Sequence, residues 1–76
     1  MTDFNDELDA RGLNCPLPIL RTKKSMNGMA AGDVLKVVAT DPGSVKDMEA
    51  YAKQTGHEIV DSNDDDGEFT FYIKKN

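Results

Sequence analysis

The fold of this chain is decided by one stretch, Val34-Leu35-Lys36-Val37-Val38-Ala39-Thr40. Most of its residues are β-branched or aliphatic, and apolar side chains fall on both faces, which is typical of a strand in the middle of a sheet. Asp41-Pro42-Gly43 follows directly and would end the strand. We therefore predict a buried, central strand over residues 34 to 40.

A helix is predicted on the N-terminal side of this strand, from Pro16 to about Met29. Proline is favoured at the first helical position, because its missing N–H would have no partner there in any case. The apolar residues at helical spacing give the face expected to pack on the sheet, and they are Ile19, Leu20, Met26 and Met29.

A second helix is predicted on the C-terminal side of the strand. Ser44 and Asp47 resemble a capping box, with Ser44 as the N-cap and Asp47 in the third helical position. Gly56 is a natural C-cap. The apolar face expected for this helix consists of Val45, Met48, Ala52 and Thr55.

Three further strands complete the pattern. The first, from Glu7 to Arg11, places Leu8 and Ala10 on one side. His57 to Ser62 and Phe69 to Lys74 form a hairpin around a turn over residues 63 to 67, and Phe69, Phe71 and Ile73 share one face. The predicted fold is an α/β (α+β) two-layer sandwich of order βαβαββ, with two helices on one face of a four-stranded mixed sheet. Residues 1–5 are expected to form a flexible tail and residues 6–76 a single domain.

Composition excludes several classes of function. The chain has 76 residues and a formal net charge of −5, which argues against non-specific binding to nucleic acid or to an anionic membrane. No apolar run approaches the roughly 20 residues of a membrane span. The acidic N-terminal residues lack the pattern of a signal peptide. Together with the free cysteine, this favours a location in the reducing cytoplasm.

The only cysteine, Cys15, lies in the run Asn14-Cys15-Pro16-Leu17-Pro18. If Cys15 is the N-cap of the first helix, its sulfur lies near unpaired backbone N–H groups and the positive end of the helix dipole. The pKa of the thiol should then fall below its ordinary value of about 8.5. Pro18 removes one capping N–H, so we infer that the two prolines mainly fix the geometry and expose the sulfur.

Four basic residues in the first third of the chain could stabilise a thiolate or a persulfide. They are Arg11, Arg21, Lys23 and Lys24. The alternatives are that these residues form a solvated helix face and that Cys15 is a small buried hydrophobic residue. A metal site is not expected, because His57 is the only other soft ligand. A Cys15–His57 catalytic pair would need a third group that the sequence does not indicate.

The run from Leu8 to Pro18 resembles the signature of the TusA-like (SirA-like) sulfur-carrier family, whose hallmark is Cys-Pro-x-Pro after a short first strand. The resemblance continues through Gly32-Asp33, Ala39-Thr40-Asp41-Pro42, the helix opening at Ser44, Gly56-His57 and the last strand. It covers roughly residues 7 to 75.

This resemblance implies a sulfurtransferase that acts as a persulfide carrier. Cys15 would be the catalytic residue. Asp41 matches the Asp-Pro position of the family, where it would either shape the surface beside the cysteine or only close the turn after the strand. Pro16, Pro18 and Arg11 are expected to shape the site from their places beside Cys15 in the sequence. The implied sulfur donor is a cysteine desulfurase or a rhodanese, and the implied acceptor is a DsrE/TusD-like protein or a similar one. Such carriers serve tRNA thiolation, molybdenum-cofactor metabolism or sulfur oxidation. No cofactor, metal, nucleic acid or membrane is implied, and a monomer is expected.

Two alternatives remain open at this point. One is a non-catalytic interaction or regulatory module that merely retains its cysteine. The other is a thiol redox sensor, which would need a resolving cysteine from another chain.

Overall fold

The computed structural model describes residues 3–76. Its elements are β1 (Asp6–Ala10), α1 (Leu17–Asn27), β2 (Val34–Ala39), α2 (Ser44–Thr55), β3 (Glu58–Asp65) and β4 (Glu68–Lys74). The predicted order of strands and helices is therefore confirmed. Within these residues, neither helix has the length and apolar character needed to cross a bilayer.

The four strands form one mixed sheet in the order β1-β2-β4-β3. β1 pairs with β2 in parallel, whereas β2–β4 and β3–β4 are antiparallel pairs. The prediction that β2 is central is thus confirmed. The parallel pair matters most for function, because it brings the C-terminal ends of β1 and β2 to the same edge of the sheet.

Both helices cover one face of this sheet and enclose the core. Alternate residues of β2, namely Leu35, Val37 and Ala39, are fully buried. The other buried core residues are Ala10, Met26, Met48, Tyr51, Phe71 and Ile73. On the opposite face of β2, Lys36 and Val38 are only half-buried, since no helix covers that side.

The first helix packs on the sheet through a face that includes the predicted Ile19 and Met26 but not the predicted Leu20. Its buried residues are Pro18, Thr22 and Met26, spaced four apart, and the Thr22 hydroxyl donates to the carbonyl of Pro18 at 2.8 Å. Leu20 was predicted to be in the core but is 53% exposed. It lies two residues from Pro18, which is about 200° around the helix and therefore on the opposite side. Ile19 packs against the core as predicted.

The predicted capping box of α2 is wrong. Gly43 is the N-cap residue, and Ser44 lies inside the first turn with its hydroxyl buried and without a hydrogen-bond partner among residues 3–76. Asp41 closes the turn before the helix, since its Oδ1 accepts from the Gly43 N–H at 3.0 Å, and among residues 3–76 no side chain caps the first turn of α2. At the other end Gly56 has φ +81° and donates its N–H to Ala52, so the predicted C-cap is confirmed.

The β3–β4 hairpin is longer than predicted, and its turn is tighter. Asp64 and Asp65, which were predicted to lie in the turn, pair with Phe69 and Glu68. The turn itself is Asp66-Gly67, in which both residues have positive φ, 53° and 83°. Such a two-residue turn matches the twist of the flanking strands.

The described part of the predicted N-terminal tail contacts the sheet. Asn5 exchanges two hydrogen bonds with the backbone of Val34, one from its N–H and one to its side-chain oxygen, both at 2.8 Å. The ring of Phe4 lies 6.1 Å from that of Tyr72. The first two residues of the chain lie outside the described residues.

Truncation of Leu35 to alanine should lower the free energy of unfolding by about 2 to 5 kcal/mol, because it opens a cavity in a fully packed layer. Leu20→Ala is the matched control, since the same atoms are removed from an exposed position, and it should change stability by less than about 0.5 kcal/mol. Urea unfolding followed by circular dichroism measures both. Equal losses would contradict the assignment of the core face of α1.

Candidate functional site

The candidate site lies where the loops after β1 and β2 meet. Because these strands are parallel and in register, with Ala10 beside Ala39, both loops leave the sheet at one edge. The first loop carries Cys15, which is exposed. The second carries Asp41, and α2, which begins just beyond it, adds Asp47. The N–H of Gly12 also donates to the Thr40 hydroxyl at 2.9 Å, which joins the two loops directly.

Asp41 holds the cysteine loop against the start of α2. Its Oδ2 accepts from the backbone N–H of Cys15 at 2.7 Å, while its Oδ1 accepts from Gly43. The carboxylate therefore lies beside the cysteine and also closes the turn that follows β2. Both readings of Asp41 that the sequence left open describe real contacts of the same side chain.

Cys15 is not the N-cap of α1. The helix begins at Leu17 with Pro16 in the N-cap position, and no side-chain capping bond forms there among residues 3–76. The Leu17 N–H, which could have faced the sulfur, donates to the carbonyl of Asn14 at 2.9 Å. The Cys15–Pro16 peptide bond is cis. The predicted arrangement, with Pro16 as the first helical residue, is therefore wrong by one position.

The thiol of Cys15 instead donates a hydrogen bond to Oδ2 of Asp47 at 2.9 Å. This bond to a carboxylate raises the pKa of Cys15, as do loss of water around the sulfur and the negative charges of Asp47 and Asp41. The predicted lowering of this pKa is thus wrong. The nearest charges are carboxylates, which favour the neutral thiol over a thiolate.

Arg11 does not contact Cys15. Its guanidinium binds the carboxylate of Asp9, with Nε at 2.9 Å, and it lies 3.8 Å from Glu68. The same hydrogen bonds lower the pKa of Asp9 to about 2. Arg11 was predicted to shape the site because of its place in the sequence, but its side chain, in the turn just after β1, binds Asp9 and lies near Glu68.

A groove runs from Cys15 between the two helices. Its lining from the first loop and α1 consists of Cys15, Pro16, Ile19, Leu20 and Lys23, and its lining from α2 consists of Asp47, Ala50, Tyr51, Gln54 and Thr55. Lys23 is the only one of the four predicted cations that lines it. Leu17 and Leu20 are exposed beside it, at 43% and 53%. The groove is mainly apolar, with the thiol and a carboxylate at its mouth.

His57 belongs to another part of the molecule. Its Nδ1 accepts from the Asn76 N–H at 3.0 Å, and its ring packs 5.7 Å from that of Tyr51. It follows the C-terminal end of α2, whereas Cys15 lies near the start of that helix. Among residues 3–76, no group of three or more His, Cys, Asp or Glu side chains could hold a metal ion.

Comparison with known proteins identifies the family. The sequence model described as Sulfurtransferase TusA matches residues 6–75. The chain belongs to the TusA sulfurtransferase family. It is 64% identical to the sulfur carrier protein TusA of Allochromatium vinosum over 99% of both chains. It is 42% identical to the sulfur carrier protein TusA of Pseudomonas putida (strain F1), over 99% of this chain and 96% of that one.

A solved structure supports the same family. The crystal structure of the SirA-like protein from Desulfitobacterium hafniense superposes with a TM-score of 0.82 at 26% identity, covering 92% of this chain and 96% of that one. The resemblance first seen in the Cys-Pro-x-Pro run therefore extends to the whole domain, and both its family and its two-layer fold are confirmed.

Asp47 is the site residue that the sequence analysis missed. It was interpreted only as part of a capping box, yet its side chain turns to Cys15. One signal could have found it. In a parallel β1–β2 pair the first turn of α2 lies beside the loop after β1, so acidic residues at the start of that helix face the cysteine.

Replacing Asp41 with alanine should remove both of its backbone contacts and lower the free energy of unfolding by about 1 to 3 kcal/mol. The amide of Cys15 should also lose its protection in hydrogen exchange. Asp6→Ala is the control, because the exposed Asp6 carboxylate accepts only from the neighbouring Glu7 N–H, and it should have little effect. Protection of the Cys15 amide that survives in Asp41→Ala would contradict this assignment.

The alkylation rate of Cys15 by iodoacetamide, measured against pH, should have its midpoint above that of the same protein unfolded in urea. The reason is that the pKa of Cys15 is raised in the folded state by the hydrogen bond to Asp47, and only the thiolate reacts. A folded-state midpoint below the unfolded one would restore the helix-dipole interpretation.

Proposed function

We propose that the protein is a sulfur carrier that holds sulfane sulfur as a persulfide on Cys15 and passes it to an acceptor protein. The observation that carries this proposal is an exposed lone cysteine at the mouth of a groove between two helices, in a chain of the TusA sulfurtransferase family. Identity of 64% to a sulfur carrier protein over nearly the whole chain supports the same role.

Loading is a thiol–persulfide exchange that needs no cofactor. The sulfur of Cys15 attacks the outer sulfur of a persulfide on the donor, a new S–S bond forms, and the S–S bond of the donor breaks. The proton of the Cys15 thiol ends on the donor sulfur that leaves. Unloading repeats the exchange when an acceptor thiol attacks the outer sulfur on Cys15. No electrons are gained or lost overall in either step.

The composition of the chain suits transfer between proteins better than chemistry within one protein. Because Cys15 is the only cysteine, no second thiol of the same chain can resolve its persulfide into a disulfide. The donor and the acceptor must therefore each bring their own thiol to the groove. A cysteine desulfurase or a rhodanese would supply the sulfur, and a DsrE/TusD-like protein would accept it.

The proposed setting follows from the same chemistry. A free cysteine that must accept sulfur stays reduced in a compartment such as the cytoplasm, which suits the carrier. A monomer would keep the groove open to each partner in turn. Asp41 would hold the loop that presents Cys15, since it binds the backbone of that residue.

Incubation of the reduced protein with a cysteine desulfurase and cysteine, or with a rhodanese and thiosulfate, should add one sulfur atom to the intact protein. Mass spectrometry before and after treatment with dithiothreitol measures the gain and its reversal. Cys15→Ser should show no gain. Failure of the wild-type protein to take up sulfur from either donor would overturn the proposed function.

A further inference from the structure

The carboxylate of Asp47 lies half-buried at the mouth of the groove, where its side chain contacts the thiol of Cys15. The ion pairs among residues 3–76 all involve Arg11, so no lysine or arginine of the described chain neutralises Asp47. Lys23 lines the same groove but does not come within ion-pair distance of Asp47. A half-buried carboxylate without a cation is costly, and here it lies beside the reacting sulfur.

This contact holds Cys15 in its less reactive form. The thiol proton lies between the sulfur and Oδ2 of Asp47, 2.9 Å apart. Removing that proton would leave two negative charges at this distance, so the free protein favours the thiol. Sulfur exchange, however, proceeds through the thiolate. The contact therefore lowers the reactivity of Cys15 in the free protein, and neutralising the charge on Asp47 would raise it.

We propose that the partner that exchanges sulfur with Cys15 inserts a lysine or arginine into the groove, where its cationic group pairs with Asp47 and frees the cysteine. This inference rests on the proposed function. The groove suits such a side chain, because Ile19, Leu20 and Ala50 would contact its aliphatic stem while its charged end reached the carboxylate.

The pairing changes the exchange without adding a reactant. Once the partner's cation binds Asp47, the carboxylate no longer favours the proton on Cys15, and loss of that proton no longer leaves two uncompensated negative charges side by side. The Cys15 proton ends on the leaving donor sulfur, one S–S bond forms and one breaks. The cation therefore acts on the charge of the site and is not consumed.

Among the charged groups around Cys15, Asp47 is the one that a partner can reach and change. Asp41, on the loop after β2, is bound to two backbone N–H groups and is needed to hold the loop. Lys23, on α1, lies on the opposite wall of the groove and would repel a partner surface that carries many positive charges. Asp47, on α2, lines the groove beside Cys15, where a partner side chain in the groove would contact its carboxylate.

The test compares Asp47→Asn with Glu49→Gln, which removes the same charge from an exposed position on the same helix, outside the groove. Two rates are measured for each protein: alkylation of Cys15 by iodoacetamide, which is small and neutral, and sulfur loading from a cysteine desulfurase supplied with cysteine. Asp47→Asn should be alkylated about three- to tenfold faster at pH 7. Its second-order rate of loading from the desulfurase should fall about tenfold, because the lost attraction between the carboxylate and the partner's cation outweighs the gain in free thiolate.

The opposite direction of the two effects is the signature of the proposed pairing. Glu49→Gln should change both rates by less than about twofold. Added salt should slow loading of the wild-type protein and have a weaker effect on Asp47→Asn, because the screened ion pair is already absent. The salt dependence of the wild-type protein is itself an expected result. It therefore tests the ion pair even if the fold of Asp47→Asn is disturbed and that variant loads slowly for this reason.

Several results would overturn the inference. Unchanged alkylation in Asp47→Asn would show that the carboxylate does not restrain the thiol. Faster loading from the desulfurase in that variant, or salt dependence equal to that of the wild type, would show that no partner cation uses it. If the wild-type protein loads normally while these results appear, this inference alone fails. If the wild-type protein takes up no sulfur, the proposed function fails and this inference with it.

Discussion

The parallel pairing of β1 with β2 is the constraint on which the rest of the site depends. It places two short loops at one edge of the sheet, so that residues distant in sequence meet there. Asp41 then fixes their separation, since one carboxylate accepts from Cys15 in the first loop and from Gly43 at the start of α2. Without this register the cysteine would remain on an exposed loop, but with different neighbours and a different reactivity.

Much of the fold could be predicted because its signals are local. The β-branched run of β2, the alternation of β4 and the glycine after α2 each specify their own element. The predictions that failed depended on contacts between elements distant in sequence. Ser44 and Asp47 fit a capping box in sequence, but Asp47 binds the thiol of Cys15 and Ser44 lies within the first turn of α2. Leu20 is apolar and helical, yet the stripe through Pro18 and Thr22 faces the sheet and leaves Leu20 exposed.

The site shows the same division between local and distant information. The Cys-Pro-x-Pro run and the Asp-Pro dipeptide pointed to Cys15 and Asp41 because both are visible in short motifs, and the structure brings these two residues into contact. The direction of the pKa change could not be seen in this way, since the carboxylate that binds the thiol lies 32 residues further along the chain. Arg11 is close to Cys15 in sequence, but its guanidinium binds Asp9, which lies two residues before it near the end of β1.

A raised pKa of the Cys15 thiol slows its attack on a donor persulfide, but it also slows unwanted reactions of the cysteine between partners. A lone exposed cysteine meets oxidants and foreign disulfides throughout its passage between partners, and each unit added to its pKa lowers the thiolate fraction about tenfold. Asp47 therefore slows oxidation of Cys15 and also slows its sulfur exchange. A partner that neutralises Asp47 would restore the rate of exchange only within the complex. Under the proposed pairing, the hydrogen bond from Cys15 to Asp47 makes the thiol less reactive in the free protein than in the complex with a partner.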